Sequence, residues 1–157
     1  MSSQAWLLRN AMSLKLFPVG LLLIALLVSC AGAPTQEMSD ARQSVQAAHE
    51  AGADRYSSEN LKNAEDYLGQ AERELELRYF KRARHGAIVA RSEALKAQNV
   101  STAIKAAQAA LDAAGDRSKE VLQAAHDLLR RAIDAAARGK HKQAIRLAHE
   151  AKLRVQQ

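Results

Sequence analysis

The chain has 157 residues, 48% of them hydrophobic but only 4% aromatic, with one Trp and one Cys. So few large side chains exclude a thick globular core; alanine, the best helix former, must instead build a thin helical one in which each contact buries little area. The formal net charge of +6 is unevenly spread: residues 37–77 hold ten acids against four bases, and residues 78–157 hold seventeen bases against seven acids.

The first element is an apolar run over residues 16–28, broken by Pro18 and Gly20 and preceded by Arg9 and Lys15. Thirteen residues are too few to span a bilayer, which takes about 20 as a helix, so the run reads as a secretion signal. Leu27-Val28-Ser29-Cys30 follows it and resembles a lipobox, the recognition motif of bacterial lipoprotein processing. The types suit the chemistry. A Cys30 thiolate can take diacylglyceryl through a thioether, and the small Ser29 opens the preceding bond to the peptidase; the Cys30 amine freed by cleavage can then accept an N-acyl chain such as palmitate. The expectation is a signal peptide over 1–29, a lipidated tether over 30–38 and a helical domain over 39–157, with translation starting at Met1 or Met12. Ala31 after Cys30 points to the outer membrane, facing the periplasm. Secretion removes nucleic acid as a partner of the basic half and leaves anionic cell wall or lipopolysaccharide.

Within the domain, Ser39 or Asp40 is expected to cap a helix carrying Ala41, Val45 and Ala48 and ending at Gly52. Residues 53–57 read as a turn, and Ser57 or Ser58 as the cap of a second helix with Leu61, Ala64, Leu68, Ala71 and Leu75 on one face. After residues 78–81, Ala83, Ala87, Ala90, Ala94 and Ala97 recur at alternating four- and three-residue spacing, continued by Ser101, Ile104, Gln108 and Leu111. This alanine seam is a candidate packing surface for the second helix or for another chain. Residues 99–102 are expected to break or kink it, because Ser and Thr compete for backbone hydrogen bonds. Gly115 ends the element, Ser118 opens a helix with Val121, Leu122, Ala125, Leu128, Leu129, Ala132 and Ile133 inward, and a turn at Gly139 leads to a last helix with Ala144, Ile145, Leu147, Ala148, Ala151 and Val155. Residues 61–96 set against 122–157 coincide at nine positions, including Ala64 with Ala125, Ala71 with Ala132 and Ala87 with Ala148, which suggests an internal repeat. The fold class expected is all-α: alanine-rich antiparallel hairpins, tetratricopeptide-like or a short bundle.

No catalytic or metal-binding residues are assigned. His49, His85, His126, His141 and His149 form no paired ligand spacing and read as helix-surface residues, and no glycine-rich phosphate loop or second cysteine is present. Glu65, Asp66, Glu72, Glu74 and Glu76 read as a solvated face. The chain is therefore expected to be neither an enzyme nor a cofactor binder, beyond the covalent lipid on Cys30.

Ala41-Arg42, Ala51-Gly52-Ala53, Tyr56, Ser58-Glu59, Leu61, Ala64, Leu68, Ala71, Tyr79, Ala83-Arg84, Ala87 and Ala90 make residues 39–98 resemble the bacterial family called domain of unknown function 4398, leaving 99–157 as a second helical hairpin. The resemblance implies a periplasmic lipoprotein with a helical hairpin, found alone or ahead of an OmpA-like peptidoglycan-binding domain; wall binding by that route is not expected here. It implies no catalytic residues. Two roles are expected: a lipid-tethered scaffold or adaptor for an envelope protein, or a structural protein that self-associates and binds anionic wall or lipopolysaccharide through its basic C-terminal half.

Overall fold

Each helix longer than one turn buries a stripe spaced by three and four residues, and the stripe is largely alanine. In the computed structural model, which describes residues 32–157, Pro34–Gln157 forms one unit of helices without a strand: α1 (Thr35–Glu50), α2 (Ala53–Tyr56), α3 (Ser58–Glu76), α4 (Phe80–Asp112), α5 (Lys119–Ala137) and α6 (His141–Gln156). The signal, Leu27, Val28, Ser29 and Cys30 lie outside the described residues.

The spine is α4, whose 33 residues run about 50 Å. Its first half packs beside α1 and α3, its second beside α6 and α5. Arg84 donates to Glu37 at 2.7 Å and Arg91 pairs with Asp40 at 3.4 Å, so α1 runs parallel to α4; Arg42 of α1 meets Glu72 of α3 at 2.9 Å and His49 meets Glu65 at 2.8 Å, so α3 runs antiparallel to both. The result is two three-helix layers end to end, with α4 serving both.

The internal repeat is visible in the backbone. The turn from α3 to α4 and the turn from α5 to α6 make the same hydrogen bonds 61 residues apart: Arg78 N–H to Leu75 O and Tyr79 N–H to Glu74 O in one, Gly139 N–H to Ala136 O and Lys140 N–H to Ala135 O in the other. Each helix thus closes on a residue with positive φ, Arg78 at 60° and Gly139 at 68°, the left-handed geometry that satisfies the last carbonyls. Ala64, Ala71, Ala83, Ala87 and Ala90 are fully buried, as are their equivalents Ala125, Ala132, Ala144, Ala148 and Ala151.

Four expectations change. The first helix begins at Thr35, just after Pro34, so Ser39 and Asp40 lie within it and Met38 is buried beside Ala41, Ala71 and Ala87 instead of belonging to a tether. Residues 53–56 coil into one helical turn, α2. Ser57 precedes α3 but makes no capping bond to the backbone. Residues 99–102 continue α4 unbroken, because the buried Ser101 hydroxyl donates to Ala97 O at 2.8 Å and so is satisfied inside its own helix. A boundary between 98 and 99 accordingly falls in mid-helix. Ser118 does cap α5, accepting from Val121 N–H at 3.4 Å.

Candidate functional site

Ala83, Ala87, Ala90, Ala94 and Ala97 are fully buried against α1 and α3, so the seam is consumed within the fold and presents nothing to a partner. Its tightest point is Gly86: a Cβ built there would stand 3.0 Å from Ala71 Cβ and 3.4 Å from Tyr67 O. Small residues on α4 therefore let α3 approach closely, which is what the spacing predicted for an intramolecular neighbour.

Where the layers meet, polar side chains from three helices converge. Asn60, 7% exposed near the start of α3, donates its amide to Glu93 Oε2 at 2.8 Å, while its Oδ1 faces His141 Nε2 and accepts from Ser57 Oγ at 3.3 Å. Lys96 bonds the other Glu93 oxygen. Burial opposes the Glu93 charge, but the hydrogen bonds from Lys96 and Asn60, with the nearby Lys96 and His141 charges, outweigh it and hold the carboxyl below its ordinary range. His141 is thus partly buried and structural instead of a helix-surface residue, and it pins the first turn of α6 to α3. Sequence reasoning missed this cluster because its members are 81 residues apart; the one local sign was a polar Asn60 beside Leu61 at the edge of an apolar stripe. Tyr56 adds a second tie, donating to Gln108 Oε1 at 2.7 Å.

Four acids of α3 are engaged in surface contacts. Asp66 accepts from Lys62 at 2.6 Å, Glu72 from Arg42, Glu74 from the Gln70 amide at 3.2 Å, and Glu65 faces His49, whose other nitrogen faces Asp54 at 3.1 Å. These acids pair with α1 or within α3, while Arg84 and Arg91 of α4 pair with acids of α1, and in total charge sorts by layer. Residues 34–96 hold eleven acids and ten bases, close to neutral, whereas residues 97–157 hold eleven bases and six acids, a net +5. The basic region is therefore the α5–α6 end of the rod.

The opposite end is built differently. At the α3–α4 turn, Leu77 and Tyr79 are exposed, Arg82 stacks over the Tyr79 ring at 5.3 Å, and an open groove beside them is lined by Tyr67, Gln70, Glu74, Lys81, Arg82 and His85. Two further concavities among the described residues are likewise open surface grooves, one between α2 and α4 at Arg55, Tyr56 and Lys105 and one around Arg117 and Gln157. Among the described residues no His, Cys, Asp or Glu cluster could hold a metal ion, and no helix is long and apolar enough to cross a membrane.

In comparison with known proteins, the family described as Domain of unknown function (DUF4398) matches residues 36–113, from the first turn of α1 to the end of α4. No curated protein and no solved structure matches the chain.

Proposed function

The chain belongs to that family across α1 to α4, and from this premise we propose that it is a lipid-anchored periplasmic lipoprotein serving as a helical scaffold or adaptor in the cell envelope. The observation that carries the reading is the joining of a lipobox-like Leu27-Val28-Ser29-Cys30 to a rod that starts at Thr35 and is built for length, with its apolar seam spent on its own packing. The spine helix of such a rod separates its two ends by about 50 Å. The anchor is diacylglycerol plus an N-acyl chain on Cys30, since stable residence takes more than one chain. A partner must use the charged flanks or the ends, because Ala83 to Ala97 is covered.

The net +5 of residues 97–157 favours a second reading, in which the far end binds anionic wall polymer or lipopolysaccharide. Intact mass of the chain recovered from membranes, beside a Cys30→Ala variant, tests the anchor: cleavage before Cys30 with added acyl chains, lost in the variant, is the expected result, and an unmodified soluble chain refutes it. Crosslinking in the envelope at low and high salt separates the roles. Wall binding through the basic end weakens steeply with ionic strength, and a protein adaptor contact that survives high salt excludes it as the main attachment.

A further inference from the structure

The two turns that repeat 61 residues apart share a backbone but not a surface. The second reads Arg138-Gly139-Lys140-His141 and is docked at mid-rod, with glycine at the left-handed position and His141 against Asn60. The first reads Leu77-Arg78-Tyr79-Phe80-Lys81-Arg82 and stands at the free end. There Leu77 is 62% and Tyr79 52% exposed, and Arg78 occupies the left-handed position at a steric cost that the glycine at its counterpart avoids. The fold does not require these residues, as the second copy shows. Backbone strain kept together with exposed apolar and basic groups points to a use outside the fold. Residues 77–85 contain four bases and no acid; Arg84 is bonded to Glu37, while Arg78, Lys81 and Arg82 have no carboxylate partner among the described residues.

This end also carries Thr35, where α1 begins. Four residues separate Cys30 from Thr35, five steps of chain with a reach of at most about 17 Å, and Glu37 and Met38 in the first turns of α1 pack on Arg84 and Ala87 just beyond the α3–α4 turn. We infer that the Leu77–Arg82 turn is a membrane-contact surface that seats on an anionic phospholipid bilayer, Leu77 and Tyr79 entering the headgroup region and Arg78, Lys81 and Arg82 meeting lipid phosphates. The inference rests on the lipid anchor at Cys30. A tether this short puts the turn at the bilayer, an exposed Tyr beside a Leu suits the interface between water and acyl chains, and bases flanking them complement anionic headgroups. Seating the turn adds a second attachment to the acyl chains and fixes the inclination of the rod, which the acyl chains alone leave open.

The test uses the chain as recovered from membranes, with Trp6→Phe in the precursor so that no unprocessed chain adds a second Trp, carrying either Tyr79→Trp or, near the opposite end, Leu153→Trp as its fluorescent reporter. Each is reconstituted into vesicles of brominated phosphatidylethanolamine with phosphatidylglycerol, or of brominated phosphatidylcholine alone. The expected result is a blue-shifted, bromine-quenched signal from the Tyr79→Trp protein in the anionic vesicles, relieved by high salt, and none from the Leu153→Trp protein. Adding Arg78→Gly, Lys81→Gln and Arg82→Gln, which relieves strain and threatens no core contact, lowers the ratio of lipid-bound to free turn by roughly fivefold per charge, on the order of a hundredfold together. If intact mass shows Cys30 acylated while the two reporters behave alike, the contact is refuted and the anchor stands. If quenching is equal in the zwitterionic vesicles and indifferent to the three substitutions, the anionic recognition is refuted. A chain without acyl groups refutes the anchor; the contact then falls too unless the Tyr79→Trp reporter is still selectively quenched.

Discussion

Gly69 of α3 and Gly86 of α4 lie in the same hairpin, but only Gly86 abuts the other helix, and replacing each with alanine should move stability in opposite directions. A methyl at Gly69 meets only the Arg73 Nη1 at 3.6 Å, an ordinary contact with the end of a flexible side chain. Gly69→Ala therefore gains helix propensity of about 1 kcal/mol. Gly86→Ala gains the same propensity but drives its methyl to 3.0 Å from Ala71 Cβ and 3.5 Å from Ala71 Cα, groups fixed to the backbone of α3. Overpacking of this kind costs about 1–3 kcal/mol, so Gly86→Ala ends between neutral and about 2 kcal/mol destabilised. The two variants should differ by about 1–3 kcal/mol, which for a domain of this size is roughly 4–12 °C in Tm. Urea unfolding followed by far-ultraviolet circular dichroism reads the difference, and adding Ala71→Gly should recover part of the Gly86→Ala loss as a coupling energy. Equal stabilisation by both substitutions, without coupling to Ala71, would refute the close α3–α4 approach.

Arg78→Gly relieves the left-handed backbone and should raise stability by about 1 kcal/mol in the same assay, whereas Gly139→Arg should lower it by a similar amount. Asn60→Ala removes the bridge between α3, Glu93 and His141 and should cost about 2 kcal/mol, with amide exchange rising first in the opening turn of α6; uniform exchange along α6 would argue against the tie. Because the folded Glu93 carboxyl lies below its ordinary 4.5, its contribution is complete above that value and is lost as pH falls through the lowered one. Glu93→Gln should thus flatten part of the acid limb of a stability–pH profile, and an unchanged slope would contradict the cluster. Ser101→Ala should stay within about 0.5 kcal/mol of the parent or gain slightly, since the hydroxyl serves only Ala97 O and alanine is the better helix former. A large loss would show the hydroxyl has a second role.

Most helices were legible because periodicity alone fixes them: the four-three spacing of Ala83 through Leu111 marks one face, and Gly139 marks a turn. The repeat was legible at Ala64, Ala71, Ala87 and their partners for the same reason. Identity could not say what covered the seam, since an alanine face suits α3 and a foreign helix equally. Arg78 was opaque because left-handed geometry is conferred by the Schellman closure around it and not by the residue. The helix at Thr35 was hidden behind good capping residues at 39 and 40, which instead lie inside the helix, with Asp40 serving as the partner of Arg91. The Asn60–His141 contact joins distant segments, and only the stacking of the layers creates it. The Leu77–Arg82 turn drew no notice in the sequence because its meaning comes from comparison with its structural twin.

A core made of methyl groups also has a calorimetric consequence. Unfolding this rod hydrates little apolar area per residue, while 33 residues of α4 alone release peptide groups whose hydration lowers heat capacity. The heat-capacity increment should therefore fall below the usual 12–15 cal/mol/K per residue, roughly, and the curve of stability against temperature should be broad and shallow. Heating would erode such a fold gradually over many degrees, and cooling would cost it little.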